Sequence, residues 1–399
     1  MSLGSDITMI RSDWPARRKL ERMHLLYINP HCDKNLDDPD QLLQRYGATR
    51  LWCSAVAAQG VEVTVWQSFP RESERELEGV RYRFRPIPRR PDRTWPGVIA
   101  HLGPDVVHLD GLIAPVRLFR MLKACGAAGV PAVVQDHGGR RGPGPAWRSA
   151  AALLSRPQPS ALLFSAAELA APWLGAGVFP RDTPVIEVME SSTLFQPVGQ
   201  PQARAELGVD GDPLVVSVGR LNQGKDPATL LAGFTAFAGV HPKARLALVY
   251  HEAPLLRRVQ RLVREALLPA GQVTFLGRLS PEKVRLALSA ADIFASASLH
   301  EGSGFAALEA MACGAIPVLS DIPSFRAMTG GGRVGALFPT RDSGALGRAL
   351  EITCREAERT GWDRARERTL AWFRKELDPG ALGRKAAAAY SSVAGRAAR

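Results

Sequence analysis

Short apolar runs alternate with helical stretches twice along this chain, and that rhythm restricts its fold more than any other feature of its 399 residues. In the first half, strands are predicted at His24–Ile28, Val61–Trp66, Val106–Leu109, Ala132–Gln135, Ala161–Phe164 and Val185–Val188. Helical stretches are predicted at 41–59, 116–127, 147–154 and 166–174. The segment FQPVGQPQARAELGVDGDP, 195–213, interrupts the pattern with prolines and glycines and reads as a linker. Beyond it the rhythm resumes, with strands near 214–218, 244–250, 273–276, 293–296 and 316–319. Such alternation predicts parallel strands joined by crossover helices, and hence an α/β protein of two successive, doubly wound halves. Ligands of open parallel sheets bind beyond the carboxyl ends of the strands, so the expected site is a cleft between the halves.

Length supports two domains, because single cores usually stop growing well short of this size. The chain carries 51 Lys and Arg against 39 Asp and Glu, a net charge of +12 that favours anionic partners. Much of the surplus is arginine spread along helices, so a solvated face is the commoner explanation. The basic 81–93 region alternates arginine with apolar residues and reads as a strand with one wet face; no nucleic-acid-binding motif accompanies it. Cys32, Cys53, Cys125, Cys313 and Cys354 are odd in number and contain no CxxC pair, which fits a reducing compartment rather than a disulfide framework or a zinc site. No apolar run approaches a membrane span, and residues 1–22 lack a signal-peptide core and read as a loosely held lead-in. A soluble, cytoplasmic protein is expected.

Three motifs carry chemistry. In His300–Asp321 (HEGSGFAALEAMACGAIPVLSD) two carboxylates, Glu301 and Glu309, flank a Gly-Ser-Gly turn that opens into an apolar helix. A glycine turn at a helix start presents free N–H groups to an anion. Glu309 is expected two helical turns further on and near the same face as Glu301, since eight residues at 100° each is about 80° past two full turns. Glu309 sits among apolar neighbours and needs a partner, which ribose or sugar hydroxyls or a buried arginine would supply. The second motif is PLVVSVGRLNQGKDPATLL, where Arg220 and Lys225 flank a helix start at the end of a strand. Two solvated loop cations and a diphosphate site are both open there; the strand-end position favours phosphate. The third is VVQDHGGRRGPGP, with His137 at a strand end, where it either caps the strand or faces a reacting centre. Arg140 and Arg141 follow it, within reach of an anionic ligand or simply solvated.

Together these residues resemble the GT-B fold retaining glycosyltransferases of the family 4 type, the group 1 glycosyltransferases. Arg220 and Lys225 in VGRLNQGKD resemble the family's GRLxxxKG diphosphate site, and Glu301 through Glu309 its E-x7-E signature. The resemblance covers roughly 185–395 well and the first half by architecture alone. It implies two Rossmann-like domains, 1–198 for the acceptor and 199–376 for the nucleotide sugar, with 377–399 a helix returning to the first domain. It also implies that Glu301 faces the donor sugar and Glu309 the ribose. Gly302, Ser303, Gly304, Phe305 and Ala306 would supply main-chain contacts to sugar and phosphate, and Gly277, Arg278 and Leu279 would lie at the nucleobase. His137 fits the family's histidine at this strand end. Three departures stand out: a glycine-free first loop (NPHCDKNLDDPD), Glu190-Ser191-Ser192 in place of asparagine-glycine, and Tyr250-His251-Glu252-Ala253 in place of a glycine-rich turn.

The implied reaction moves a sugar from a nucleotide diphosphate, UDP favoured and GDP an alternative, to an unidentified acceptor hydroxyl. No further cofactor and no metal is expected, since no DxD-type cluster lies in a suitable loop. Arg220 and Lys225 would stabilise the leaving diphosphate, and loss of either should cost about 2–4 kcal/mol of transition-state stabilisation. Glu301 would orient the sugar and His137 would hydrogen-bond sugar or acceptor. A glycan, a lipid-linked sugar or a small metabolite all remain open as acceptor, with a peripheral membrane contact and the oligomeric state undetermined. Two other readings keep the fold: a sugar-nucleotide epimerase, which the E-x7-E turn disfavours, and a non-catalytic glycan-binding or partner subunit, which the altered first loop favours.

Overall fold

A computed structural model describes residues 23–397 apart from 34, 113, 139–141 and 267. The lead-in at 1–22, Arg140 and Arg141 therefore lie outside the described residues. Two compact units are present: one runs to Ser192 and is completed by the chain from Pro379, and the other is Thr193–Asp378. The divisions expected from sequence stand at 198/199 and 376/377.

The first unit is built on an eight-stranded sheet. Its strands are β1 (His24–Asn29), β2 (Glu62–Ser68), β3 (Ser73–Leu77), β4 (Val80–Arg85), β5 (Val106–Asp110), β6 (Ala132–Gln135), β7 (Ala161–Phe164) and β8 (Val185–Glu187). They lie in the order β3-β4-β2-β1-β5-β6-β7-β8, all parallel except the β3–β4 pair. The central strands β1, β5, β6 and β7 are almost wholly buried, as expected of parallel strands covered on both faces. The hairpin β3–β4 is not evident in the apolar pattern, because β3 (SEREL) is an exposed edge strand whose pairing comes from its neighbour. β4 alternates buried and wetter residues as expected of one wet face, but the strand ends at Arg85 and a helix, Pro91–Leu102, begins within the basic 81–93 region. The predicted helix at 41–59 is two helices, Pro39–Arg45 and Gly47–Ala57, separated at Tyr46.

The chain's last helix, Pro379–Ala397, packs into this unit against Gly47–Ala57. Proline at its first position ends the preceding helix Trp362–Glu376 and opens the new one. Tyr390 anchors it: its hydroxyl accepts from Trp52 Nε1 at 2.9 Å and meets His108 Nδ1 at 2.8 Å. Burial pushes the His108 pKa down to about 3, so the ring is neutral and Nδ1 can accept the tyrosine proton.

The second unit is a six-stranded parallel sheet of β9 (Leu214–Val218), β10 (Arg245–Val249), β11 (Val273–Gly277), β12 (Ile293–Ser296), β13 (Ile316–Ser320) and β14 (Ala336–Phe338). The order β11-β10-β9-β12-β13-β14 reverses between β9 and β12, the switch point of a Rossmann sheet. The expected linker at 195–213 is not one throughout. It contains the helix Gln200–Leu207, tied to the sheet by Arg204 Nη2 to Asp292 Oδ2 at 2.7 Å and by Gln200 Nε2 to Asp292 Oδ1 at 2.8 Å. Its prolines and glycines mark the ends of this helix, with Gly208 in the left-handed cap, so composition alone resembles a loop. No helix among the described residues is long and apolar enough to cross a membrane.

Candidate functional site

In the second unit, loops from four adjacent strands converge at their carboxyl ends. β9 leads into Gly219-Arg220-Leu221, and a single 3₁₀ turn, Gln223–Lys225, follows with Asn222 as its cap. Asp226 then takes a left-handed φ of 44° and caps the helix Pro227–Val240. Backbone bonds link this loop to its neighbours on both sides, among them Leu221 N to Glu252 O at 2.8 Å, Leu255 N to Leu221 O at 3.0 Å and Leu299 N to Gly224 O at 2.8 Å. The Leu299–Gly224 bond crosses the switch point and draws the Lys225 turn against the loop that carries Glu301.

Lys225 Nζ donates to Glu301 Oε1, a contact spanning seventy-six positions of sequence. Their side chains are only 27% and 14% exposed, so the pair is shielded from water. Arg220 turns instead toward Glu252 at 3.6 Å, with the two side chains 52% and 61% exposed. Two cations that are equivalent in the motif are thus in different settings. Lys225 is a part-buried point charge on the Glu301 carboxylate; Arg220 is a surface arginine whose ion pair contributes little.

The helix Phe305–Ala312 starts at Gly304, whose φ of 66° is left-handed. A Cβ there would lie 2.6 Å from Phe325 Cε1, so glycine is required both for the turn and for the close approach. Gly302 and Ser303 form the turn before it, with Ser303 buried, while Phe305 and Ala306 form the first helical residues. Glu301 lies ahead of this helix, not on it, so the helical-wheel relation to Glu309 does not hold; a loop brings the carboxylate to Lys225 instead. Glu309 is on the helix, and among the described residues no hydrogen bond or ion pair to its carboxylate is found. Burial pushes its pKa up to about 7. The expected partner is thus not a buried arginine, and hydroxyl donors of a ligand fit the carboxylate's unused hydrogen-bonding capacity. Gly277 ends β11 with a φ of 66°, followed by exposed Arg278 and part-buried Leu279, at the same sheet edge.

A raised carboxylate pKa has two consequences of definite sign. The free protein loses stability as pH rises from the ordinary carboxyl range through about 7, because ionising Glu309 is harder when folded than unfolded. A ligand whose hydroxyls donate to the carboxylate is expected to bind more tightly over the same rise. Calorimetric titration with a nucleotide sugar, which lacks the phosphate monoester ionisation near pH 6, should show affinity increasing through pH 7, and Glu309→Gln should flatten that profile. Unchanged pH dependence in the variant would remove Glu309 from the ligand site.

In the first unit, His137 follows β6 and is held from both sides by carboxylates. Nε2 donates to Asp110 Oδ1 at the end of β5, and Nδ1 lies 3.4 Å from Glu190 Oε2 beyond β8. Tyr27 of β1 also bonds to Asp110. Burial would lower the His137 pKa, but Asp110 and Glu190 outweigh it and hold the imidazolium well above the ordinary range. Burial likewise opposes the Asp110 charge, and His137 more than offsets that, keeping the carboxyl below its usual range. His137 is accordingly a charged hydrogen-bond donor at neutral pH, not a base. Sequence reasoning misses both partners. Asp110 closes the run VVHLD, a strand-end carboxylate that is a detectable signal, whereas Glu190 stands out in the sequence only as a departure from a family pattern.

Both sheets with their crossover helices define the GT-B class of two Rossmann-like units. Solved structures agree: the chain aligns with sucrose-phosphate synthase from Thermosynechococcus elongatus at a TM-score of 0.61 and 22% identity, over 93% of this chain and 99% of that one. It aligns with the Anabaena protein HepE, solved in complex with UDP, at 0.65 and 18%, over 93% and 100%. Residues 199–360 match the model of the glycosyl transferases group 1. Among curated relatives, a D-inositol 3-phosphate glycosyltransferase of Rhodococcus erythropolis is 30% identical over 219 residues, half of each chain. A 2-deoxystreptamine N-acetyl-D-glucosaminyltransferase of Streptomyces fradiae is 32% identical over 192 residues, 46% of this chain and 45% of that protein. The chain thus spans about half the length of these relatives.

Proposed function

We propose that this chain is a retaining glycosyltransferase that moves a sugar from a nucleotide diphosphate donor to an acceptor hydroxyl, without a metal at the reacting centre. The observation that carries this reading is the shielded Lys225–Glu301 pair at the β9/β12 switch point, with no partner for the Glu309 carboxylate among the described residues. Lys225 would shift from Glu301 to the diphosphate as charge builds on it, with Arg220 and the start of helix Phe305–Ala312 adding to its stabilisation. Glu301, released from the lysine, would take the donor sugar's hydroxyls, and Glu309 those of the ribose. His137 would donate a hydrogen bond to sugar or acceptor, held in orientation by Asp110 and Glu190. The UDP complex of HepE, a protein of similar fold, favours UDP over GDP as the leaving group. A cytoplasmic setting follows from the cysteine usage.

The alternative is a non-catalytic subunit of the same fold. It draws on the first loop, where Asp33 occupies the turn after β1, receiving the Tyr46 hydroxyl at 2.8 Å and lying 3.5 Å from Arg45. A carboxylate there is less welcoming to a phosphate than a glycine pair. Nucleotide release from UDP-, GDP- and ADP-sugars, with and without candidate acceptors, separates the two. Release from one donor, stimulated by an acceptor, is expected; no donor binding at millimolar concentration would end the enzyme reading.

A further inference from the structure

On the second unit, the helix Pro227–Val240 ends at His241, just before β10 begins, and so at the sheet edge opposite the carboxyl-end loops. The helix Ser343–Thr360 packs alongside through Phe234, Phe237, Leu346, Leu350 and Cys354. This packing brings His241 Nδ1, Cys354 Sγ and a Glu358 carboxylate oxygen within 4.8 Å of one another. Sγ lies 3.9 Å from Nδ1 and 3.4 Å from Glu358 Oε1. A tetrahedral zinc site, with Zn–S near 2.3 Å and Zn–N or Zn–O near 2.0–2.1 Å, requires ligand edges of roughly 3.3–3.6 Å. The two edges from Sγ therefore lie within a few tenths of an ångström of those of a zinc tetrahedron.

A fourth residue completes the chemistry. Glu351 Oε2 lies 2.6 Å from His241 Nε2. A carboxylate only accepts, so Nε2 carries the proton, and in the neutral ring the Nδ1 lone pair faces Cys354. Carboxylate–histidine pairs of this kind orient metal-bound imidazoles. Cys354 and Glu358 are one helical turn apart on the same face, as two ligands on a rigid helix should be. Thiolate, imidazole and a single carboxylate select zinc or cobalt over the all-oxygen cations.

We infer that His241, Cys354 and Glu358 form a binding site for a zinc-type divalent cation, with Glu351 as the positioning residue for His241. The fourth coordination position belongs to water, since Glu358 is exposed. On binding, the Cys354 S–H bond breaks, its proton goes to solvent and a sulfur–metal bond forms, with nothing oxidised or reduced. Because the thiol must give up its proton to bind, the cation competes with a proton and its affinity rises with pH. Because the cation bridges two helices of one unit, it stabilises the fold and takes no part in the proposed transfer.

The test uses the full chain, freed of metal with a chelator and titrated with cobalt(II) chloride. Expected are one equivalent bound at micromolar concentration, a thiolate-to-cobalt charge-transfer band in the near ultraviolet and intense visible bands of four-coordinate cobalt. Zinc chloride should displace the cobalt and, added to the metal-free chain, release about one proton and raise the melting temperature. Cys354→Ser removes the charge-transfer band, Glu351→Gln weakens binding about tenfold, and Cys32→Ser changes nothing. Should Cys354→Ser fail to fold, Glu358→Gln at the surface tests the same ligand set, with at least tenfold weaker binding expected. Absence of stoichiometric binding, a band that survives Cys354→Ser, or unaltered affinity in Glu358→Gln overturns the site.

Discussion

Replacing Lys225 by alanine is expected to lower kcat/KM for sugar transfer by about a hundred- to a thousandfold, or about 3–4 kcal/mol of transition-state stabilisation. Its ammonium is shielded and already oriented by Glu301 and the Asn222-capped turn, so it needs little reorganisation to meet a developing diphosphate charge. Loss of the lysine also leaves the Glu301 carboxylate beside the phosphates without its counter-charge. Arg220→Ala should cost less, about tenfold, because its guanidinium is half exposed and its Glu252 pair is at the surface. Steady-state kinetics of both single variants and the double variant check this ranking. Full transfer by the double variant would show that the diphosphate is bound elsewhere.

Gly383→Ala is expected to destabilise the first unit by about 3 kcal/mol, although glycine to alanine inside a helix ordinarily gains about 1 kcal/mol. The reason is local. A Cβ at Gly383 would stand 2.1 Å from the Ala55 carbonyl oxygen and 2.7 Å from its carbon, and backbone cannot swing aside as a side chain can. The last helix would be pushed off Gly47–Ala57, and the Trp52–Tyr390–His108 hydrogen bonds would be strained with it. Thermal unfolding should show the melting temperature lowered by roughly 5–10 °C. Gly395→Ala in the same helix, where nothing lies within 4 Å, should be neutral or slightly stabilising. Equal melting temperatures for the two variants would show that the helix is not held by this contact.

These two glycines cannot be told apart in the alanine-rich run GALGRKAAAAYSSVAGRAAR, and that shows where sequence reasoning stops. Helix and strand propensity act over a few residues, so the buried strands β6, β7, β9 and β12 are legible at their observed bounds. Where regular structure depends on a neighbour, the pattern misleads: the β3 edge strand, the helix Gln200–Leu207 and the break at Tyr46. The candidate site divides in the same way. Arg220, Lys225, Glu301 and Glu309 are identifiable from spacing, since each motif lies within one loop and its helix.

Periodicity and turn chemistry are local, and they suffice to specify an α/β chain of two doubly wound halves and to mark Arg220, Lys225, Glu301 and Glu309 as candidate site residues. Which of those residues meet is a matter of tertiary structure. Lys225 reaches Glu301 because β9 and β12 are neighbours at the switch point, although β10 and β11 lie between them in sequence. His137 sits between carboxylates because Asp110 ends β5, the neighbour of β6, and the chain beyond β8 brings Glu190 to its other ring nitrogen. His241 meets Cys354 because two helices share a core. Strand order and helix packing set long-range proximity, and proximity sets charge.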